Sequence, residues 1–190
     1  MTGVDVSRFR DSDYQGHVPG EVTPKGTAMD RIREAASDDV DILWDFLAMA
    51  AYEPGAAAAK AIPIIAAYLD GWRKHDDFGF VAERNGTAVG AAWARQFGPH
   101  EDPAYYRAER TPEITVAVND RARGQRVGQV LVSTLIAEAA RRELRLCLNV
   151  RNTNPALRLY ERLGFRAVPG MTVPNRVGGL SIWMVWAPPL

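Results

Sequence analysis

Two runs, FGFVAER (78–84) and TAVGAAWAR (87–95), stand on either side of Asn85-Gly86. Both turn residues accept the positive φ of a tight two-residue turn, so the runs are expected to pair as an antiparallel hairpin. Other elements arrange themselves around it. A short strand, RIREA, starts at Arg31, and Ser37-Asp38-Asp39 is a helix-start signal for Val40, Leu43, Trp44 and Leu47 at helical spacing. YEPG (52–55) breaks the chain, and Ile64, Ile65, Tyr68, Leu69 and Trp72 suggest a second helix. After a polar loop, GPHEDPAYYRAERTP, comes a strand, EITVAV (113–118). A long helix follows over about residues 126–143, with Val127, Val130, Leu131, Leu135 and Ala139 on one face. LRLCLNV, a short helix, FRAV, a loop and LSIWMVWA complete the order β-α-α-β-β-β-α-β-α-β-β. That order describes a mixed α/β sheet without internal repeats.

The 190 residues suffice for one domain with a real core. Residues 1–28 are polar, Gly/Pro/Asp-rich and aperiodic, a tail or arm before a domain over residues 29–190. The balance of 23 basic and 23 acidic residues gives no electrostatic reason to expect nucleic acid or an anionic membrane as partner. The N-terminus lacks the apolar run of a signal peptide, and the longest apolar stretch (56–69) is broken by Lys60 and Pro63, so a cytoplasmic location is expected. The single cysteine, Cys147, sits in a strand-like run and reads as buried filler. His17, His75 and His100 are scattered without metal-ligand spacing, and no metal is expected.

Two segments carry chemistry. In NPALRLYERLGF (154–165), Asn154 can cap a helix, Pro155 suits its first position, and Gly164 ends it. Tyr160 lies on the apolar side of that helix. It is either core packing with a satisfied hydroxyl or a functional phenol. In EITVAVNDRARGQRVGQVL (113–131), a strand, a turn bearing Arg121, Arg123 and Arg126 and a helix start make an anion site. A pyrophosphate suits it, although an ordinary capped helix has the same pattern.

Together the two segments resemble the GNAT acyltransferase superfamily. Its Arg/Gln-x-x-Gly-x-Gly/Ala motif reads Arg123-Gly-Gln-Arg126-Val-Gly128 here, with Arg126 in place of the middle glycine. The resemblance implies a mixed, mostly antiparallel twisted sheet flanked by helices. It implies N-acetyl transfer, with acetyl-CoA lying where TVAV splays from LCLNV. Backbone groups of Val116, Ala117 and Val118 would then pair with the pantetheine arm. The amides of Arg123, Gly124, Gln125, Arg126, Val127, Gly128 and Gln129 would hold the pyrophosphate. Asn154 would contact the cosubstrate, and Tyr160 would protonate the departing thiolate. The acceptor would be a primary amine of a small molecule or peptide, attacking directly in a ternary complex. Glu113 is the candidate base, acting through water, against the plain alternative of a solvated strand-end carboxylate. The Val118 amide could steady the developing oxyanion.

Tyr52, Glu53, His100, Glu101, Asp102, Tyr105 and Tyr106 fall where the acceptor would enter, a carboxylate and aromatic mixture that suits a cation. Two rival readings share the fold: a non-catalytic acyl-CoA sensor, and a protein-interaction module in which Arg126 blocks the groove. Trp183 and Trp186 in the closing strand could join a homodimer interface or fill core positions.

Overall fold

The structure is a computed structural model that describes residues 29–72, 77–102, 105–106, 108–176 and 178–189. The tail over residues 1–28, with His17, and the loop residue His75 lie outside these. In chain order the elements are β1 (Arg31–Glu34), α1 (Val40–Ala51), α2 (Ala56–Lys60), α3 (Pro63–Ala66), β2 (Phe78–Arg84), β3 (Thr87–Arg95) and β4 (Glu113–Val118). They continue with α4 (Val127–Arg141), β5 (Leu146–Arg151), α5 (Leu157–Arg162), β6 (Arg166–Pro174) and β7 (Leu180–Trp186).

The strands form one sheet in the order β1-β2-β3-β4-β5-β7-β6. The expected hairpin is β2–β3, with Asn85 at φ 50° and Gly86 at φ 74° in its turn. Neighbours are antiparallel except β4 and β5, which are parallel and share a single register pair, Glu113 with Cys147. Alternate strand residues feed two cores. Ala92, Ala94, Leu146 and Leu148 pack with Leu131 and Leu135 of α4 on one face. Val81, Ala91 and Trp93 pack with Leu43, Trp44 and Leu47 of α1 on the other.

Three expectations are corrected. The second helix is two short pieces, because Pro63 has no amide to continue α2 and instead opens α3. Beyond α3 the chain proceeds in single turns, Tyr68 N–H to Ile65 O and Trp72 N–H to Leu69 O. The helix of the second motif starts at Leu157, since Asn154 spends its side chain on a turn ahead of it, accepting from the Ala156 amide at 2.9 Å. The FRAV strand starts at Arg166 and runs on to Pro174 as a nine-residue, mostly exposed edge strand, β6. Trp183 and Trp186 are buried within the chain and present no aromatic surface. Among the described residues, no helix is long and apolar enough to cross a membrane.

Of the described glycines, Gly79 of β2 is the one packed most closely, against Trp93. A methyl group on Gly79 would sit 2.7 Å from Trp93 Cβ and 3.0 Å from the Trp72 ring. Gly79→Ala is therefore expected to cost about 1–3 kcal/mol by pushing β3 away at Trp93 and displacing the Trp72 indole. Urea denaturation of the two proteins checks this, and an unchanged midpoint would contradict it.

Candidate active site

Gaps in sheets follow from hydrogen bonds that the backbone does not make. The Cys147 amide donates to the Pro112 carbonyl at 3.0 Å, while the Asn119 amide turns the other way and donates to Val89. Successive residues of a strand alternate sides. Val116 and Val118 thus direct their backbone groups toward β5, yet the two strands share no register pair beyond Glu113–Cys147. The result is a pair of facing strand edges, suited to an extended, amide-bearing chain. The Val118 carbonyl is engaged by Arg123 Nε at 3.3 Å, which leaves its N–H toward the opening.

A cavity of about 320 Å³ occupies this opening. Its lining comes from both faces of the sheet: Glu113, Thr115, Asn149 and Arg151 from one, Val116, Val150 and Tyr160 from the other. Asn154 lines it as well.

Glu113 is not a solvated strand-end carboxylate; it is 2 % exposed. Tyr68 donates its hydroxyl to Oε1 at 2.5 Å, and the Tyr106 amide approaches Oε2 at 3.4 Å. Burial pushes the carboxyl up to about 7, against those two hydrogen bonds, which hold it down. The Tyr68 phenol is raised well above its ordinary value, first by burial and then by the Glu113 charge. Its ring meets Phe97 and Tyr105 edge-on, and its carbonyl accepts from Trp93 Nε1 at 3.1 Å. These three contacts fix the phenol's position.

Tyr160 is half-buried against the α4 core, its ring edge-on to Phe165 at 5.9 Å. Among the described residues its hydroxyl has no hydrogen-bond partner, unlike an ordinary core tyrosine. Burial, and then the nearby Tyr52, raise the phenol to about 12, so it stays protonated across the physiological range.

At the far end of β4, the turn into α4 is shaped for close approach. Gly124 (φ 72°) and Arg126 (φ 63°) are both left-handed, so Arg126 takes the conformation that a glycine would take at its place in the motif. Arg126 is the N-cap residue of α4 and supplies no side-chain cap, leaving the first-turn amides of Val127, Gly128 and Gln129 directed outward. Gln125 is tied to Arg84 and to the Arg121 carbonyl at 2.7 Å each, which pins the turn.

The residues expected at the acceptor entrance divide. Tyr52 and Tyr105 line the cavity. Tyr106 packs on Trp183, and Glu53 pairs with Arg176. Glu101 turns back to the Gly98 amide, and His100 and Asp102 are exposed, away from the cavity. Cys147 is buried, its thiol raised well above the usual range by burial. Among the described residues no group of three or more His, Cys, Asp or Glu side chains could hold a metal. Sequence reasoning missed Tyr68 and Arg151. Tyr68 shares its spacing with plain core residues of its segment, and Arg151 is one arginine among many.

The Acetyltransferase (GNAT) family model matches residues 40–165, and the chain belongs to this family of acyltransferases. No curated protein matches it. Among solved structures, a ribosomal-protein-alanine N-acetyltransferase from Brucella melitensis superposes with a TM-score of 0.64 at 24% identity, covering 83% of this chain and 99% of that one. An N-acetyltransferase from Staphylococcus aureus gives 0.61 at 24% identity, covering 82% and 96%. A phosphinothricin acetyltransferase from Sinorhizobium meliloti, solved in complex with AcCoA, gives 0.61 at 20% identity, covering 82% and 86%. These likenesses establish the fold.

The buried carboxyl has a consequence for stability. The folded protein retains the Glu113 proton between pH 4.5 and about 7, where the unfolded chain has released it. Its contribution is therefore fully present below pH 4.5 and is lost as pH rises toward 7, by roughly 3 kcal/mol at most. Denaturation at pH 5 and pH 8 is expected to show a fall that Glu113→Gln largely removes. An identical pH dependence in both proteins would rule this out.

Proposed function

We propose that the chain transfers an acetyl group from acetyl-CoA to a primary amine by direct attack in a ternary complex, in the cytoplasm, with residues 29–190 as the transferase domain. The observation that carries this reading is a single cavity, open through the sheet, with Glu113 on one face and Tyr160 on the other. A base and an acid on opposite sides of one gap suit a displacement in which a proton leaves the nucleophile while another reaches the leaving group. The likeness to a ribosomal-protein-alanine N-acetyltransferase and to an acetyltransferase solved in complex with AcCoA supports the same class of donor and acceptor.

Val116 and Val118 offer backbone groups to the pantetheine arm, and the amides of residues 123–129 receive the pyrophosphate with the dipole of α4 behind them. Asn154 borders the same cavity. Glu113, poised near neutrality, takes the amine proton through water, which frees the nitrogen lone pair for the thioester carbonyl carbon. The Val118 N–H stabilises negative charge on the carbonyl oxygen. As the C–S bond breaks, Tyr160 donates to the departing sulfur. A phenol near 12 facing a thiol of about 8.5 gives up its proton only as it recovers one, so the second proton that the nitrogen sheds on amide formation returns to Tyr160 and the thiol leaves neutral. Proximity in one cavity supplies much of the remaining acceleration.

Calorimetric titration with acetyl-CoA is the first test. Wild type and Tyr160→Phe are expected to bind alike, while the variant loses about 10²–10⁴ in kcat for thiol release with an amine acceptor. Absence of acetyl-CoA binding would sink the reading. The second test is a pH profile. Activity is expected to rise with an apparent pKa near 7 as Glu113 ionises. Tyr68→Phe removes a hydrogen bond that favours the carboxylate, so the rising limb moves to higher pH, and activity lost at pH 7 returns at pH 9. A uniform loss at every pH would argue against Glu113 as base.

A further inference from the structure

Arg151 closes β5 on the same face of the sheet as Glu113, since Leu148 and Val150 take the other face. Its guanidinium lies over the Tyr52 ring, 4.2 Å from the centroid, and lines the cavity. Among the described residues its side chain has no hydrogen bond and no carboxylate partner. The other arginine of the lining, Arg176, is paired with Glu53. Arg95, deeper in the fold, donates to the Asp70 carbonyl. A half-buried guanidinium held on an aromatic ring, with its donors unspent, is built to receive a planar anion by two parallel hydrogen bonds.

Tyr52 strengthens the point. It sits just past α1 in a left-handed conformation, φ 61°, uncommon for a residue with a side chain, and remains 62 % exposed. The conformation closes the C-terminus of α1, where the Tyr52 amide donates to the Met49 carbonyl and the Glu53 amide to the Ala48 carbonyl at 2.8 Å. That cap fixes the backbone from which the ring meets Arg151 at the cavity mouth.

We propose that Arg151, seated on Tyr52, is an anion subsite selecting amine acceptors that carry a carboxylate set apart from the amine. This rests on the acetyl-transfer reading. Arg151 lies four residues beyond Cys147, the partner of Glu113, so the two ends of the subsite are roughly 13 Å apart along the strand before the side chains reach inward. An α-amino acid, with both groups on one carbon, spans this poorly; an ω-amino acid or a short peptide spans it. Ile64, Ile65 and Tyr68 provide apolar wall for the spacer between.

The test uses acceptor pairs that differ in one charge: 6-aminohexanoate against hexylamine, and Gly-Phe against its C-terminal amide. Binding to the CoA-loaded protein is measured by calorimetry, and thiol release gives kcat/KM. Wild type is expected to favour each carboxylate member by about tenfold or more. Arg151→Met should abolish that preference and leave the acetyl-CoA Kd within about twofold; Arg151→Lys should restore part of it. Equal binding within each pair, a preference that survives Arg151→Met, or failure of all four amines to bind would overturn the subsite. A tenfold loss of acetyl-CoA affinity in Arg151→Met would overturn it too, by assigning the arginine to the cosubstrate. Carboxylate binding that depends on Arg151 without thiol release from any amine would uphold the subsite and sink the acetyl-transfer reading instead.

Discussion

β4 and β5 begin side by side, joined where the Cys147 amide reaches the Pro112 carbonyl, and then diverge. Each is firmly held on its other side: β4 by six register pairs with β3, β5 by six with β7. The sheet is thus two antiparallel blocks meeting at one register pair, Glu113 with Cys147. Each outer edge is spent on its own ladder, and past that pair the inner edges face each other across the opening. Everything of chemical interest follows from that point. Glu113, the proposed base, stands at the junction, Tyr160, the proposed acid, and the outward amides of the α4 turn stand along the opening, and the cavity fills the wedge between.

Holding Glu113 at this junction is costly in a way that links stability to chemistry. A carboxylate 2 % exposed must be neutral or well solvated by fixed donors. The structure provides Tyr68 and the Tyr106 amide, enough to keep the group near neutrality and not enough to make it a strong acid. Tyr68 is in turn anchored by Trp93 Nε1 and by the Phe97–Tyr105 stack, whose ring centroids are 4.0 Å apart. The close packing of Gly79, Trp72 and Trp93 therefore bears directly on the geometry of the carboxyl. Core and site share residues here.

Much of the fold was legible because its signals are local. Asn85-Gly86 specifies a turn through φ alone. The apolar spacing from Val127 to Ala139 specifies a helix face, and Val127, Leu131, Leu135 and Ala139 are all fully covered. The break at Pro63 was equally local but lost to the apolar periodicity around it, and proline's missing amide prevailed. Of the site, Glu113, Tyr160 and the turn at residues 123–129 stand out because they sit at element boundaries with recognisable chemistry. Tyr68 and Arg151 do not. Each lies far in sequence from its partner, Glu113 and Tyr52 respectively, and residue type alone does not separate a phenol in the core from one bonded to a carboxylate.

What the sequence determined by itself is the strand order along the chain, most of the helices and the family, since helix periods, turn residues and the two motifs each act within a few residues. Tertiary structure decided which carboxylate is buried and, among the described residues, which phenol is left without a partner and which arginine faces the cavity unpaired. Those properties depend on dielectric surroundings and on neighbours 40 to 100 residues away, as with Tyr68 and Glu113 (45 apart) or Tyr52 and Arg151. Burial and pairing are properties of the folded whole, and they set the pKa values and the free donors on which the chemistry relies.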